Sequence, residues 1–198
     1  MIGIIDYSAG NLQSVKNALE YLNLHYSMIE KPEQFSKIDK LILPGVGHFG
    51  SAVTNLQQSG LWEKIQDWLI QNRPFLGICL GMQLLFETSE EAPDTKGFAI
   101  FPGELKKFET GKVPNIGWNQ VSWKKQPTPL FQLSNDQYYY FVHSYYVPMT
   151  NESYVLGTSD YFMPYVSAVN KGNIYGFQFH PERSGRDGLQ VLKFWGTL

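Results

Sequence analysis

The sequence is poor in cysteine, in clustered positive charge and in long hydrophobic runs, and each shortage excludes a class of protein. One cysteine in 198 residues permits neither an internal disulfide nor a zinc site built on several cysteines. The 16 basic and 18 acidic side chains give a net charge of −2, without the basic stripe that nucleic-acid binding needs. No apolar run reaches the roughly 18 residues of a membrane span. We therefore expect no metal, no nucleic acid and no membrane partner.

What is present is the composition of a globular protein. Hydrophobic residues make up 43% of the chain and charged residues 17%. The chain begins directly with a strand-like apolar run and has no basic segment before it, which argues against a signal peptide. We expect a single domain over residues 1–198 and a cytoplasmic location.

The first half alternates between two hydrophobic patterns. Short apolar runs predict buried strands at residues 2–5 and 41–43, and further strands are expected at 26–29 and 75–78. Helical spacing predicts a helix capped by Asn11, a second that Ser51 opens and Gly60 closes, and a third between Trp62 and Leu69. This alternation is typical of an open, mostly parallel sheet flanked by helices, in which ligands bind at the carboxyl ends of the strands.

The second half has a different pattern. Between Phe98 and Phe179, short runs rich in tyrosine, valine, phenylalanine and tryptophan are separated by proline, glycine and asparagine, which predicts antiparallel strands. The strongest of these runs covers residues 174–179, and a closing helix is expected at 189–195. The fold class is therefore α/β with a β-rich antiparallel extension.

The one cysteine has the surroundings of a catalytic nucleophile. Cys79 follows a predicted strand, precedes a helical pattern and has Gly77 and Gly81 two residues away on either side. Such a strand-to-helix turn holds a nucleophile in a strained conformation, and the glycines make room for it. Most free cysteines are inert buried residues, but the two flanking glycines favour the nucleophile.

A thiol nucleophile needs a base, and His180 is the strongest candidate among four histidines. It stands at the end of the strongest late strand, and Pro181 favours an extended backbone there. Residues two apart in an extended chain point the same way, so Glu182 can orient the imidazole. His25 is expected at the surface, and neither His48 nor His143 has a carboxylate at a comparable spacing.

The segment from Gly45 to Gly50 allows two interpretations. It matches G-x-G-x-x-G, follows a strand and precedes a helix, as a dinucleotide-binding turn would. Pro44 intervenes, however, and Glu63, about 20 residues further on, falls within a helix instead of at a strand end. We favour a loop whose free N–H groups face a developing oxyanion, together with the N–H of Leu80. A merely structural tight loop is the third possibility.

The residues after the nucleophile offer further polar candidates. Gln83 and Glu87 follow Cys79 at intervals of four, which predicts that all three share one helix face. The adjacent Glu90 and Glu91 have the pattern of a solvated charged run.

Taken together, these motifs resemble the class I, triad-type glutamine amidotransferases. Within that family the chain is most similar to the glutaminase subunits of imidazole glycerol phosphate synthases of histidine biosynthesis. The resemblance covers essentially the whole chain. The segments that carry it are residues 6–11, 44–50, 77–83, 86–91, 117–119, 141–145 and 180–184.

The resemblance implies an activity and a role for each matching residue. Cys79 would attack the side-chain amide of glutamine, His180 would carry the proton to the departing ammonia, and Glu182 would orient His180. The remaining positions that match are the oxyanion donors Val46 and Leu80 and the substrate-binding residues Gly47, Gln83, Glu91, Ser144 and Tyr145. No cofactor is implied.

The resemblance also implies a partner. In the family the ammonia passes to a (β/α)8-barrel cyclase in a heterodimer, which forms imidazole glycerol phosphate and aminoimidazole carboxamide ribonucleotide. Positions that match the interface with this cyclase are Asn11, Trp118, Tyr140 and Arg183. The chain departs from the pattern at Asn115 and Ile116, where the family usually has His-Met.

Three alternatives stay open at this point. The chain could feed ammonia to a different synthase, for example a sugar-amidating one. It could be a catalytically silent binding subunit on the same fold. It could also be an NAD-dependent oxidoreductase that uses the turn from Gly45 to Gly50.

Overall fold

A computed structural model describes residues 1–7, 12–124 and 137–198 of the chain. Five α-helices and thirteen strands lie within these ranges. The helices are α1 (Leu12–Tyr21), α2 (Phe49–Gln58), α3 (Leu61–Ile70), α4 (Leu80–Gln83) and α5 (Gly185–Thr197), with 3-10 turns at Pro32–Lys37, Glu152–Tyr154 and Pro181–Arg183. The strands are β1 (Ile2–Ile5), β2 (Tyr26–Ile29), β3 (Lys40–Gly45), β4 (Phe75–Cys79), β5 (Phe86–Ser89), β6 (Phe101–Lys107), β7 (Asn115–Gln120), β8 (Ser122–Trp123), β9 (Tyr138–His143), β10 (Tyr145–Tyr146), β11 (Val155–Asp160), β12 (Pro164–Lys171) and β13 (Ile174–Phe177).

Eight of the described strands form the central sheet, in the order β2-β1-β3-β4-β13-β12-β11-β8. The strands from β2 to β13 run parallel, and β12, β11 and β8 extend the sheet in antiparallel pairs. The predicted α/β class with a β-rich antiparallel extension is confirmed.

Two smaller sheets complete the described strands. One has the order β10-β6-β5, and the other is the antiparallel ribbon of β7 and β9.

The central sheet is covered by hydrophobic side chains on both faces. Along β3 the side chains alternate, so that Leu41 and Leu43 join one core and Ile42 joins the other. The first core includes side chains of α2 and α3, and the second includes side chains of α1 and α5. Burial on both faces explains why these strands appear in the sequence as continuous apolar runs.

Several predicted boundaries are wrong, each for a local reason. Pro44 does not end β3, which continues to Gly45 in register with β4. The helix expected at Ser51 begins at Phe49, because the His48 side chain accepts a hydrogen bond from Gly50 N–H at 3.1 Å and caps the first turn. The predicted cap Asn11 lies outside the described residues.

The expectation that Gln83 and Glu87 share a helix face is wrong. Helix α4 ends at Gln83, and the chain enters β5 at Phe86, which pairs with Phe101. The Glu87 carboxylate instead accepts a hydrogen bond from Gly103 N–H at 2.9 Å, away from the nucleophile. Strand pairing with β6 thus overrides the helical spacing of the apolar residues.

Candidate active site

Cys79 lies at the sharp junction between β4 and α4. Its φ of 53° and ψ of −107° are unusual for a residue other than glycine. The predicted need for small neighbours has a specific origin. A Cβ on Gly77 would lie 2.5 Å from the Gly81 carbonyl oxygen, and one on Gly81 would overlap the Leu43 carbonyl oxygen on β3. The two glycines therefore allow the turn to fold back against its own strand and its neighbour.

The predicted base lies on the adjacent strand. Because β13 pairs in parallel with β4, with Phe177 opposite Ile78, the chain leaves both strands at the same edge of the sheet. His180 follows in extended conformation, and its Nδ1 lies 2.8 Å from Oε1 of Glu182. The side chains of both residues are at least 95% buried, at 4% and 5% exposure.

The contact between His180 and Glu182 forms through a different local geometry from the one predicted. Glu182 lies within the 3-10 turn Pro181–Arg183 and is not part of an extended segment. Gln178, two residues before His180, faces Cys79 as His180 does. The backbone N–H of His180 donates to the Tyr140 carbonyl at 2.9 Å, which ties this segment to β9.

Electrostatics favour the charged form of His180. Burial lowers the pKa of the imidazole, but the negative charges of the Cys79 thiolate and of Glu182 outweigh burial and raise the pKa from 6.5 to about 10. In the described structure the Nε2 atom is buried without a hydrogen-bond partner, since Nδ1 alone contacts Glu182. An imidazole that is oriented through one nitrogen can exchange a proton with Cys79 through the other, which is the arrangement that general acid–base catalysis requires.

Both ring nitrogens of His143 are used in hydrogen bonds within the fold. It is 5% exposed, its Nδ1 lies 2.8 Å from the Tyr145 carbonyl oxygen, and its Nε2 lies 3.3 Å from Asn115 Nδ2. A carbonyl only accepts, so Nδ1–H donates to it and neutral Nε2 accepts from the amide. Burial lowers the pKa of this imidazole to about 4. His25 is exposed, and His48 caps α2.

A pocket of about 360 Å³ opens in front of Cys79. The predicted oxyanion donors and substrate-binding residues all line it. Its lining residues are Val46, Gly47, Cys79, Leu80, Gln83, Glu91, Pro114, Val142, His143, Ser144, Tyr145 and Arg183. The His180–Glu182 pair borders a smaller cavity on the other side of Val46. Val46 lines both cavities, so the predicted pocket residues and the His180–Glu182 pair adjoin each other.

The loop from Gly45 to Gly50 belongs to this pocket. Gly47 has a φ of 107° with open space beside it, and Val46 is 43% exposed. The N-terminus of α2 is already occupied, because Phe49 N–H donates to Glu91 at 2.6 Å. A carboxylate in that position repels a pyrophosphate group, so the geometry disfavours the dinucleotide-binding interpretation. Glu91, interpreted from sequence as part of a solvated run, lines the pocket instead.

Sequence reasoning missed Gln178. This residue is fully buried and its Nε2 lies 3.7 Å from Cys79 Sγ, while its Oε1 lies 3.1 Å from Gln83 Nε2. The signal that could have found it is its spacing of two from His180 at the end of a strand.

The residues predicted at a partner interface lie on and beside the β7–β9 ribbon. Trp118 is 55% exposed and packs edge-on against Tyr140, and the Arg183 guanidinium lies 4.8 Å from the Tyr140 ring centroid. Ile116 is 56% exposed, whereas Asn115 is buried against His143. Asn11, the fourth predicted interface residue, lies outside the described residues.

Two absences concern the described residues only. Within residues 1–7, 12–124 and 137–198, no three histidine, cysteine or acidic side chains come together as metal ligands would. In the same part of the chain, no helix has both the length and the apolar character of a membrane span.

Comparisons with known proteins agree with this geometry. A family model for class I glutamine amidotransferases matches residues 3–195. The imidazole glycerol phosphate synthase subunit HisH of Halalkalibacterium halodurans is 46% identical over 205 residues, covering 100% of this chain and 96% of the relative. The subunit HisH 1 of Methanococcus maripaludis is 44% identical over 198 residues, covering 98% and 97%.

Solved structures share the fold. A crystal structure of a glutamine amidotransferase superposes with a TM-score of 0.78 at 16% identity, covering 100% of this chain and 99% of that one. PurLQS from Thermotoga maritima gives a TM-score of 0.76 at 18% identity, covering 97% and 95%.

Proposed function

The chain belongs to the class I glutamine amidotransferase family, and on that basis we propose that it hydrolyses glutamine to glutamate and ammonia as the glutaminase subunit of a synthase. One observation carries the proposal: Cys79 lies in a strained turn beside the His180–Glu182 pair, at the carboxyl ends of adjacent parallel strands. A single amidotransferase domain over residues 1–198 is part of the proposal.

The first half of the reaction forms a thioester. The proton of the Cys79 thiol resides on His180 in the resting pair, and the thiolate attacks the side-chain carbonyl carbon of glutamine. The resulting oxyanion accepts hydrogen bonds from the backbone N–H groups of Val46 and Leu80. When the tetrahedral intermediate collapses, the C–N bond breaks and His180 returns its proton to the departing ammonia. Glu182 holds the imidazole in orientation throughout this half-reaction.

The second half hydrolyses the thioester. A water molecule gives a proton to His180 and attacks the thioester carbon, the C–S bond breaks, and Cys79 regains its proton as glutamate leaves. Glutamine is held in the pocket by Gly47, Gln83, Glu91, Ser144 and Tyr145. The negative charge of Glu91 suits the substrate's ammonium group.

The ammonia is passed to a partner subunit. The relatives at 44–46% identity are subunits of imidazole glycerol phosphate synthase, which supports the same assignment for this chain. The partner in this proposal is a (β/α)8-barrel cyclase, joined in a heterodimer. It uses the ammonia to form imidazole glycerol phosphate and aminoimidazole carboxamide ribonucleotide in histidine biosynthesis.

The β7–β9 ribbon is the proposed docking surface for the cyclase. Trp118 supplies exposed aromatic area beside the half-buried Tyr140, and Arg183 extends the surface toward the mouth of the pocket. Asn11 is included from the sequence match alone. Arg183 lines the pocket and lies against Tyr140 of the ribbon, which supports docking close to where ammonia would be released.

Glutamate release by the purified complex tests the proposal. The wild-type complex is expected to release glutamate, and Cys79→Ala is expected to abolish the release while His25→Gln, at an exposed position, preserves it. Glutamate release by the Cys79→Ala complex would overturn the thioester mechanism. The lone subunit is expected to be only weakly active.

The partner is tested by co-purification of the tagged chain from its own cells. Recovery of a cyclase supports the assignment, whereas recovery of a sugar-modifying synthase or of no partner contradicts it.

A further inference from the structure

Gln178 is a buried polar residue for which the mechanism above has no use. It directly follows β13, is 0% exposed, and its backbone N–H donates to the Ser167 carbonyl at 2.9 Å. The aromatic residues Phe177 and Phe179 flank it along the chain. A buried amide side chain costs free energy unless its hydrogen bonds are made, so its partners are informative.

The partners of Gln178 fix the orientation of its amide. Gln83 Nε2 lies 3.2 Å from the Tyr145 carbonyl oxygen, and because a carbonyl only accepts, the Gln83 atom there is the nitrogen. That nitrogen also donates to Gln178, at 3.1 Å, so Gln178 presents its oxygen to Gln83. The Gln178 amide nitrogen therefore faces Cys79 Sγ, 3.7 Å away.

Two groups near the Cys79 sulfur favour opposite protonation states of the thiol. The Val142 carbonyl oxygen, 3.8 Å away, accepts from the thiol and repels a thiolate. The Gln178 amide donates to the sulfur, and a donor interacts more strongly with a thiolate than with a thiol. When Cys79 loses its proton, the hydrogen bond from Gln178 offsets the repulsion between the thiolate and the Val142 carbonyl oxygen.

We infer that Gln178 is a positioning residue that fixes the nucleophilic sulfur and the Gln83 side chain relative to each other through its single amide group. The inference rests on the proposed glutaminase function. It also explains what Gln83 offers to the substrate. Both amide hydrogens of Gln83 are used, by Tyr145 and Gln178, so Gln83 presents its carbonyl oxygen as an acceptor in the pocket.

The first test is the reactivity of Cys79 toward iodoacetamide as a function of pH. The chain has one cysteine, so a mass shift reports on this sulfur alone. Gln178→Met keeps the length of the side chain but removes the hydrogen-bond donor. The pH at which the alkylation rate is half-maximal is expected to rise by about one unit. Gln178→Glu places a carboxylate beside the sulfur and is expected to move it further.

The second test uses steady-state kinetics of the complex to distinguish the role of the Gln178 amide oxygen, which faces Gln83, from that of its nitrogen, which faces Cys79. Gln178→Met releases Gln83, so KM for glutamine is expected to rise and kcat to fall about tenfold. In Gln178→Glu a carboxylate oxygen still accepts from Gln83, so KM is expected to change less while kcat falls more. A merely structural role would not produce this split between the two constants.

A matched control removes a buried polar contact elsewhere in the same sheet. Ser159 Oγ and Ser167 Oγ lie 2.9 Å apart, and Ser159→Ala is expected to lower stability without moving the alkylation profile. If Gln178→Met fails to fold, Gln178→Asn, with its shorter reach, is expected to show the same upward shift. Overlap of the profiles of the folded Gln178 variants with wild type would overturn the inference.

The alkylation test also separates this inference from the proposed function, because it needs neither glutamine nor a partner. An upward shift in a protein that never releases glutamate would support the contact between Gln178 and Cys79 and contradict the glutaminase. An active complex whose Gln178 variants keep the wild-type alkylation profile would support the glutaminase and contradict the proposed role of Gln178.

Discussion

Substitution of His143 by asparagine is expected to make the folded state less sensitive to acid. In the structure the ring of His143 donates through Nδ1 to the Tyr145 carbonyl and accepts through Nε2 from Asn115. Protonation of Nε2 would place one N–H group against another and bury a charge among the rings of Phe108 and Tyr165. Burial accordingly lowers the pKa of His143 from 6.5 to about 4.

The sign and size of the effect follow from linkage. Because the folded state holds His143 neutral and the unfolded state does not, its contribution to stability is present above pH 6.5 and is lost as the pH falls toward 4. Near pH 5 the unfolded imidazole is mostly protonated and the folded one mostly neutral. The free energy of unfolding is therefore lower at about pH 5 than at about pH 7.5 by roughly 2 kcal/mol from this residue alone.

Urea denaturation followed by tryptophan fluorescence measures this difference. Asparagine retains a donor for the Tyr145 carbonyl but loses the ring, so His143→Asn is expected to be less stable than wild type at both pH values. The informative quantity is the difference between the two pH values, which is expected to shrink by roughly 2 kcal/mol in His143→Asn. The exposed His25 provides the control, because His25→Asn is expected to leave the difference unchanged.

The reasoning would be refuted by an equal pH difference in wild type and His143→Asn. That result would mean that His143 binds its proton equally well in the folded and unfolded chains. The contact with Asn115 would then not hold the ring neutral.

Three further predictions concern the catalytic pair, the turn and the docking surface. Glu182→Gln is expected to lower kcat about a hundredfold and, by removing a negative charge, to lower the pKa of His180, measured from the pH profile of Cys79 alkylation. Gly81→Ala is expected to lower the free energy of unfolding by about 1–3 kcal/mol in urea titration, because its Cβ meets a backbone carbonyl that cannot rotate away. Trp118→Ala is expected to weaken partner binding by about 2 kcal/mol in calorimetry without altering the thermal melt, because the side chain is 55% exposed.

Sequence patterns predicted the parallel half of the fold well, and burial on both faces leaves the strong signal seen in β1. The strands at residues 2–5 and 26–29 were predicted with the bounds that the structure gives. The prediction for Glu87 was wrong because the pattern around it is ambiguous. The same spacing of apolar residues fits one long helix or a short helix followed by a strand. Only the pairing of Phe86 with Phe101, a long-range contact, decides between the two.

The parts of the candidate site that depend on neighbouring residues in the sequence were predictable. The turn at Cys79 depends on neighbouring glycines, which the sequence displays. The contact of His180 with Glu182 was predicted, although from an extended backbone instead of the 3-10 turn that produces it. The spacing of Gln178 from His180 offers a hint, but the contacts that give Gln178 and His143 their roles come from other parts of the fold and are not visible within one segment.

The parallel pairing of β4 with β13 has a consequence for the order of folding. Cys79 and Gln178 are 99 positions apart in the sequence, so this side of the site forms only when a long loop closes, at a cost in chain entropy. During synthesis β4 leaves the ribosome long before β13. A chain that stops before β13 holds a thiol with no base beside it, and Cys79 gains its full reactivity only after the C-terminal segment docks. Labelling of this thiol during refolding would therefore time the docking of β13 beside β4.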